Sequence, residues 1–288
     1  SDTTFASMDH LNRIKSLYYG NISLIDKGVG RILDTLDELG MAENTIVIFT
    51  SDHGELMGDH GAFQKSKPYE ASMRIPYLMR LPGLVAPGCR SADRASMLDI
   101  MPTALELAGA DYPGEHTLPG ASLLGKEGGG FATPRDEFVV EHGAGPKRWL
   151  SLLRGPWKYN YYFEGGWQEL FQLENDPLEM NNLLLNHPGD SARLRGEQMH
   201  EQLAAWERIH GFVSSFTPTG DLIASPVDER PVSTTNHQFP TWVENLPPDE
   251  LSEMESVGSS TLNAMENEWT YSLEDLNLRA FKEGGGSL

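Results

Sequence analysis

Thr45-Ile46-Val47-Ile48-Phe49-Thr50 runs without a break into Ser51-Asp52-His53-Gly54-Glu55, and this junction decides the fold. Six consecutive β-branched or aromatic residues with no polar alternation describe a strand buried on both faces, as in a layered α/β sheet. In open α/β sheets the ligand crevice lies beyond the carboxyl ends of the strands. The acid, imidazole and glycine that follow therefore fall where reactive groups collect. A carboxylate oxygen and an imidazole nitrogen on adjacent residues can reach one divalent ion if the chain turns sharply, and Gly54 is expected to permit the turn. Asp52 and His53 are accordingly the candidate metal ligands.

Upstream of the junction, Leu11, Ile14, Tyr18, Ile22, Ile25, Val29, Ile32, Leu36 and Leu39 recur at steps of three and four, which places them on one helical face. Gly40 suits a left-handed stop after that helix. Downstream, Ile75 to Leu81 is a second strand-like run, so helix-to-parallel-strand traffic in an α/β sheet is expected. Met97 to Ala108 then reads as a helix, with Pro102 in its first turn and Gly109 beyond its end.

Residues 110–136 are rich in Gly and Pro and read as a linker or long surface crossing. Beyond it the pattern changes to short strand-like runs, Glu137 to Glu141, Arg148 to Arg154, Trp157 to Phe163 and Glu169 to Leu173, separated by Gly-Pro and Gly-Gly turns. They describe an antiparallel meander. A helix from Ser191 to His210, with Leu203 and Trp206 among its apolar positions, is expected to pack on one face of that sheet. After Gly211 the chain is acidic and poor in pattern, with short helices expected around Pro248 to Val257 and Leu273 to Phe281. The domain organisation is thus 1–130, the later part of an α/β catalytic domain; 131–211, a small antiparallel sheet with one helix; and 212–288, a mostly irregular acidic extension.

Composition sets outer bounds. With 288 residues, 39% of them hydrophobic, the chain can bury a sizeable core, and its formal charge of −20 disfavours nucleic acid or an anionic membrane as the main partner. An anionic substrate would have to be drawn in by a cation and local basic groups that reverse the sign inside the site. Cys89 is the one cysteine, so neither an intrachain disulfide nor a cysteine-rich zinc site is available. No run of about 18 apolar residues suggests a transmembrane segment. The opening Ser-Asp-Thr-Thr, which lacks Met and leads almost directly into a long helix, suggests that an upstream part is missing.

The order of motifs is the more specific signal. Ser51-Asp52-His53-Gly54-Glu55, Gly58-Asp59-His60-Gly61, Lys65, Tyr69-Glu70, Arg74-Ile75-Pro76, Asp99-Ile100-Met101-Pro102-Thr103 and Leu170-Phe171-Gln172-Leu173-Glu174-Asn175-Asp176-Pro177-Leu178-Glu179 with Asn182-Leu183 stand in series. That series closely resembles the sulfatases of the alkaline-phosphatase-like superfamily over about residues 15–210. The resemblance implies the later, carboxy-terminal part of an alkaline-phosphatase-like α/β sandwich plus a small antiparallel sheet. It implies Asp52 and His53 as metal ligands for a divalent ion, calcium first, with manganese as the alternative that an imidazole in the set makes more plausible than in an all-oxygen site. Lys65 matches the lysine that contacts the sulfate group, as both a substrate-binding and a catalytic residue. Lys67 is close by but fits the spacing to Glu70 less well. His60 and His142 are secondary catalytic candidates, each able to give a proton to a leaving alkoxide. Glu70 and Arg74 are read as a structural ion pair.

Sulfatases use a formylglycine nucleophile made within a Cys/Ser-x-Pro-x-Arg motif. Cys89 stands in Pro87-Gly88-Cys89-Arg90-Ser91 and does not fit it. The nucleophile and further metal ligands are therefore expected in a missing amino-terminal half of the same enzyme, and this chain alone is expected to be inactive. The substrate is expected to be a sulfate ester of open type. The alternatives are a phosphodiesterase or phosphonate monoester hydrolase of the same superfamily, and a non-catalytic fragment that binds metal or sulfated glycan. The sequence itself leaves the location undecided; by family analogy a periplasmic or secreted location is expected.

Overall fold

The structure is a computed structural model that describes residues 8–80, 82–84, 87–114, 117–124, 135, 137–185 and 188–227. The expected short helices beyond residue 247, and residues 115, 116, 125–134 and 136 of the 110–136 crossing, lie outside them. Helix α1 spans Met8–Glu38, β1 Val47–Thr50, α2 Glu70–Met73, β2 Tyr77–Arg80 and α3 Ile100–Ala108. They are followed by strands β3 Glu137–His142, β4 Trp149–Arg154, β5 Trp157–Tyr162 and β6 Trp167–Gln172, and by helix α4 Asp190–His210.

Both expected glycine stops are present. Gly40 and Gly109 have φ of 65° and 60°. Gly40 N–H donates to Asp37 O and Met41 N–H to Leu36 O, and Gly109 N–H donates to Glu106 O and Ala110 N–H to Leu105 O. This paired 5→2 and 6→1 pattern satisfies carbonyls that a helix end would otherwise leave open. The apolar stripe of α1 is only partly covered. Leu33 is buried, whereas the heptad row Tyr18, Ile25, Ile32 and Leu39 is exposed.

The pairing of β1 with β2 corrects one expectation. The two runs are neighbours, but antiparallel, in register from Val47↔Arg80 to Thr50↔Tyr77. The chain between them turns back through α2 instead of crossing over in a long helix, so β2 returns against β1. Each strand is half-buried throughout, not enclosed on both faces.

The second sheet follows the expected meander, β3-β4-β5-β6, all antiparallel. Strand alternation divides its residues between two faces. On one face Leu150, Leu152, Tyr159, Tyr161 and Leu170 pack with Met199, Leu203 and Ala204 of α4. Each fully buried leucine here contributes roughly 1.5–3 kcal/mol from area removed from water. Residues beyond α4 join the same core: Leu222 is buried in it, and the Tyr161 hydroxyl donates to Leu222 O and Ile223 O at 3.2 and 3.0 Å.

The opposite face carries Ser151, Lys158, Asn160 and Glu169, brought side by side by the pairs Ser151↔Asn160 and Asn160↔Glu169. Ser151, Lys158 and Asn160 are fully buried all the same. What buries them is the segment that follows the Asp-His junction. The Tyr69 hydroxyl donates to Glu169 Oε1 at 2.9 Å, and Lys158 Nζ lies 3.0 Å from Glu70 Oε1 and 2.7 Å from Glu179 Oε1. The Glu70 N–H donates to Glu179 Oε2 at 2.6 Å. Burial pushes the Glu179 carboxyl up while Lys158 pulls it down. Glu70 therefore pairs with Lys158, and the expected Glu70–Arg74 pair is not formed: Arg74 is exposed and makes no ion pair among the described residues. A lysine buried without its acids would carry a large desolvation cost, so this face specifies where the 60–74 segment sits.

Candidate active site

Asp52 and His53 leave the carboxyl end of β1 as a tight pair. The His53 backbone N–H donates to Asp52 Oδ1 at 3.0 Å, and His53 Nε2 stands 3.4 Å from Asp52 Oδ2. His53 Nδ1 lies 2.7 Å from Gly54 O. A carbonyl only accepts, so Nδ1 carries the proton and, in neutral imidazole, the Nε2 lone pair faces the carboxylate. Two electron-rich atoms on one side of the strand end form a pair of donors that a single cation can share. The Asp52 side chain is 79% exposed and thus open to such a partner. An outer-sphere carbonyl that fixes the imidazole tautomer is also the usual support for a metal-bound histidine. The donor set fits a divalent ion as far as it goes. Among the described residues no group of three or more His, Cys, Asp or Glu converges, so these two ligands would be part of a larger set.

Gly54 serves close approach, not a positive-φ turn. A Cβ built there would lie 2.1 Å from Ala71 O, and the Gly54 N–H donates to Ser72 O at 2.8 Å. Gly54→Ala must therefore push the junction away from α2. We expect a loss of about 1–3 kcal/mol from overpacking, read as a lower urea midpoint; an unchanged midpoint would mean that the two segments part freely.

The loop returning toward α2 is tied back to the junction. Leu56 N–H donates to Gln64 O at 2.8 Å, and Glu55 Oε1 accepts from the Met57 and Gln64 backbone N–H groups. Lys65 follows Gln64 directly, and so stands next to the point where the loop is tied to Glu55 and Leu56. Gln64 and Ser66, on either side of it, have φ of 64° and 80°. Lys65 and Lys67 are both exposed, and neither makes an ion pair among the described residues.

The two secondary histidines differ in their surroundings. The His60 ring stacks on Tyr69 with centroids 3.6 Å apart, and its Nε2 contacts Leu178 O at 3.1 Å. These are the contacts of a histidine that fastens a loop. His142, at the end of β3, stacks on Trp149 at 5.6 Å, and the Trp149 indole N–H donates to Ser66 O at 3.0 Å. The small sheet thereby reaches the Lys65 loop through Trp149. Cys89 is exposed. Sequence reasoning missed Glu55, Trp149 and the Lys158 network. The one available signal was polar residues alternating with apolar ones in β4 and β5.

The site is thus a β-strand that runs into an Asp-His pair, with the loop that carries Lys65 tied back to the residues just after it. The family model described as Sulfatase matches residues 2–110, and that described as N-sulphoglucosamine sulphohydrolase, C-terminal, matches residues 58–208. The chain belongs to the sulfatase family. It is 37% identical over 177 residues to an arylsulfatase of Clostridium perfringens, covering 60% of this chain and 36% of the relative. To the choline-sulfatase of Rhizobium meliloti it is 35% identical over 186 residues, covering 63% and 35%. The chain thus spans about a third of the length of the curated relatives it matches. Among solved structures, a protein in complex with its substrate D-glucosamine-2-N,6-O-disulfate superposes with TM-score 0.55 at 28% identity, over 63% of this chain and 38% of that one. The phosphonate monoester hydrolase of Agrobacterium radiobacter superposes with TM-score 0.55 at 25% identity, over 68% and 42%. These likenesses bear out the alkaline-phosphatase-like α/β fold. No helix among the described residues is long and apolar enough to cross a membrane.

Proposed function

We propose that this chain supplies part of the active site of a sulfuric ester hydrolase, with Asp52 and His53 as metal ligands and Lys65 as the sulfate-contacting residue. The observation that carries the reading is the convergence of Asp52 Oδ2 and His53 Nε2 at a strand end, in a chain of the sulfatase family. Asp52 and His53 would hold a divalent ion, calcium or, because of the imidazole, manganese; when bound it supplies Lewis-acid neutralisation of anionic ester oxygens. Lys65 places a point charge where negative charge builds on the sulfuryl oxygens and the leaving oxygen. Attack on sulfur needs a nucleophile, for which the family resemblance implies formylglycine. No Cys/Ser-x-Pro-x-Arg motif occurs in this sequence, so that group and the remaining ligands belong to the rest of the enzyme. Of the two secondary histidines, His60 is engaged by Tyr69 and the Leu178 carbonyl, which favours His142 as the proton donor to a leaving alkoxide.

A second reading, hydrolysis of phosphonate or phosphodiester substrates, is favoured by the likeness to the phosphonate monoester hydrolase. Tetrahedral sulfuryl and phosphoryl groups offer similar oxygens to one cation and one lysine. The test is kcat/KM of the whole enzyme on a chromogenic aryl sulfate and on the matching aryl phosphonate, with calcium and with manganese. Sulfate is expected to be the better substrate; preference for the phosphonate selects the second reading, and turnover of neither ends both. The 288-residue chain alone is expected to give no multiple turnover with either metal.

A further inference from the structure

We propose that Trp149 is a positioning residue: from the small sheet it holds the Lys65 loop in the conformation that presents Lys65 beside Asp52 and His53. The proposal rests on the role given to Lys65 above. Gln64 and Ser66, the residues flanking that lysine, both occupy the left-handed region, at φ of 64° and 80°. Residues with a Cβ stay there only when their surroundings over-determine them. The surroundings do so from two sides. Glu55 and Leu56 of the junction bind both backbone groups of Gln64. Trp149, buried at 5% exposure, donates its indole N–H to the Ser66 carbonyl at 3.0 Å.

Trp149 is itself held rigidly. It lies in the central strand β4, paired with His142 of β3 and Tyr162 of β5. His142 stacks on it, and the neighbouring positions on that face, Ser151, Asn160 and Glu169, are locked by hydrogen bonds of 2.7 and 2.9 Å. The same face grips the far side of the loop through Tyr69 and Glu70. Loop 60–74 is thus fastened at its end by carboxylates and at its middle by one indole N–H. Removing that N–H frees Ser66, and through it the backbone that aims Lys65, without touching the junction or the α4 core. Misplacing a charge by about an ångström is enough to cost up to about a hundredfold in turnover.

The test has two arms. In the 288-residue chain, amide hydrogen exchange of Trp149→Phe is compared with wild type, the β4–β6 amides serving as the fold control. Should the smaller ring fail to pack, benzothienylalanine at position 149 keeps the bicycle and removes only the N–H. Faster exchange confined to residues 63–68 is expected; unchanged exchange there overturns the clamp. In the whole enzyme, Trp149→Phe is expected to lower kcat by about 10- to 100-fold with a smaller change in KM, and to have no further effect when Lys65 is already alanine. An equal loss in both backgrounds overturns positioning through Lys65, as does unaltered kcat. If the wild-type enzyme hydrolyses neither ester, the proposed function fails, and the exchange arm still decides whether Trp149 holds the loop.

Discussion

Glu207→Ala is expected to destabilise the 288-residue chain by about 3–5 kcal/mol, because it strands a buried guanidinium. Arg148 Nη1 and Nη2 donate to Glu207 Oε1 and Oε2 at 2.6 and 2.8 Å, with side-chain exposures of 4% for Arg148 and 0% for Glu207. The guanidinium also lies over the rings of Phe163 and Phe212, at 5.2 and 5.1 Å, which do not replace a lost acid as hydrogen-bond partners. Glu141 remains as a partner, but its side chain is 51% exposed, so it offsets only part of the loss. The pair fastens α4 to the start of β4 and, through Ser215 and the Phe212 N–H, the chain beyond the helix. Urea unfolding should show a lower midpoint at an unchanged slope. A change below about 1 kcal/mol would mean that the site relaxes or admits water.

The same carboxylate gives the pH dependence a definite sign. Burial alone would raise the Glu207 pKa, but hydrogen bonds from Arg148, Ser215 and the Phe212 N–H hold it below its ordinary value of 4.5. A depressed folded-state pKa means that the unfolded chain binds more protons on acidification. The contribution of Glu207 is therefore complete above about pH 4.5 and is lost as pH falls through the folded value. Glu207→Gln should flatten the stability profile below that point.

Lys65→Ala in the whole enzyme is expected to lower kcat/KM by about 10²–10³-fold, the size of effect seen when a preorganised donor to a developing anion is removed. Lys67→Ala should change it by no more than about threefold, within the range of a surface substitution. The contrast is informative because both lysines are exposed and only two residues apart. Lys65 sits between the two left-handed residues of a loop tied to Glu55 and Leu56, whereas Lys67 precedes buried Pro68 on the way to α2. Lys65→Arg should restore little, since a planar fork does not place its charge where a compact ammonium does. Equal effects at the two positions, or a larger one at Lys67, would move the sulfate contact to the other lysine.

Much of this molecule is written locally in its sequence. The helix stops at Gly40 and Gly109, the four-strand meander, the α4 helix and the strand running into Asp52-His53 all follow from periodicity and turn chemistry, which act over a few residues. The adjacency of Asp52 and His53 likewise required only that the chain turn at the strand end. Tertiary structure decided what depends on distant partners. The direction of β2 against β1 was set by how the intervening chain returns, which a run of apolar residues does not encode. Glu70 looked like the partner of Arg74, four residues away, but pairs with Lys158, 88 residues on, because a buried ammonium gains more from a carboxylate than an exposed guanidinium does. Gly54 looked like a turn and proved to be a point of close approach to Ala71, a contact no local pattern reveals. The link from Trp149 to Ser66 spans 83 positions and joins the second sheet to the loop between β1 and β2. By itself the sequence determined which segments are helix or strand and which residues could do chemistry. The burial of one polar sheet face against the Lys65 loop was settled only in three dimensions, since a polar side chain is placed by the partner that offsets its desolvation, wherever in the chain that partner lies.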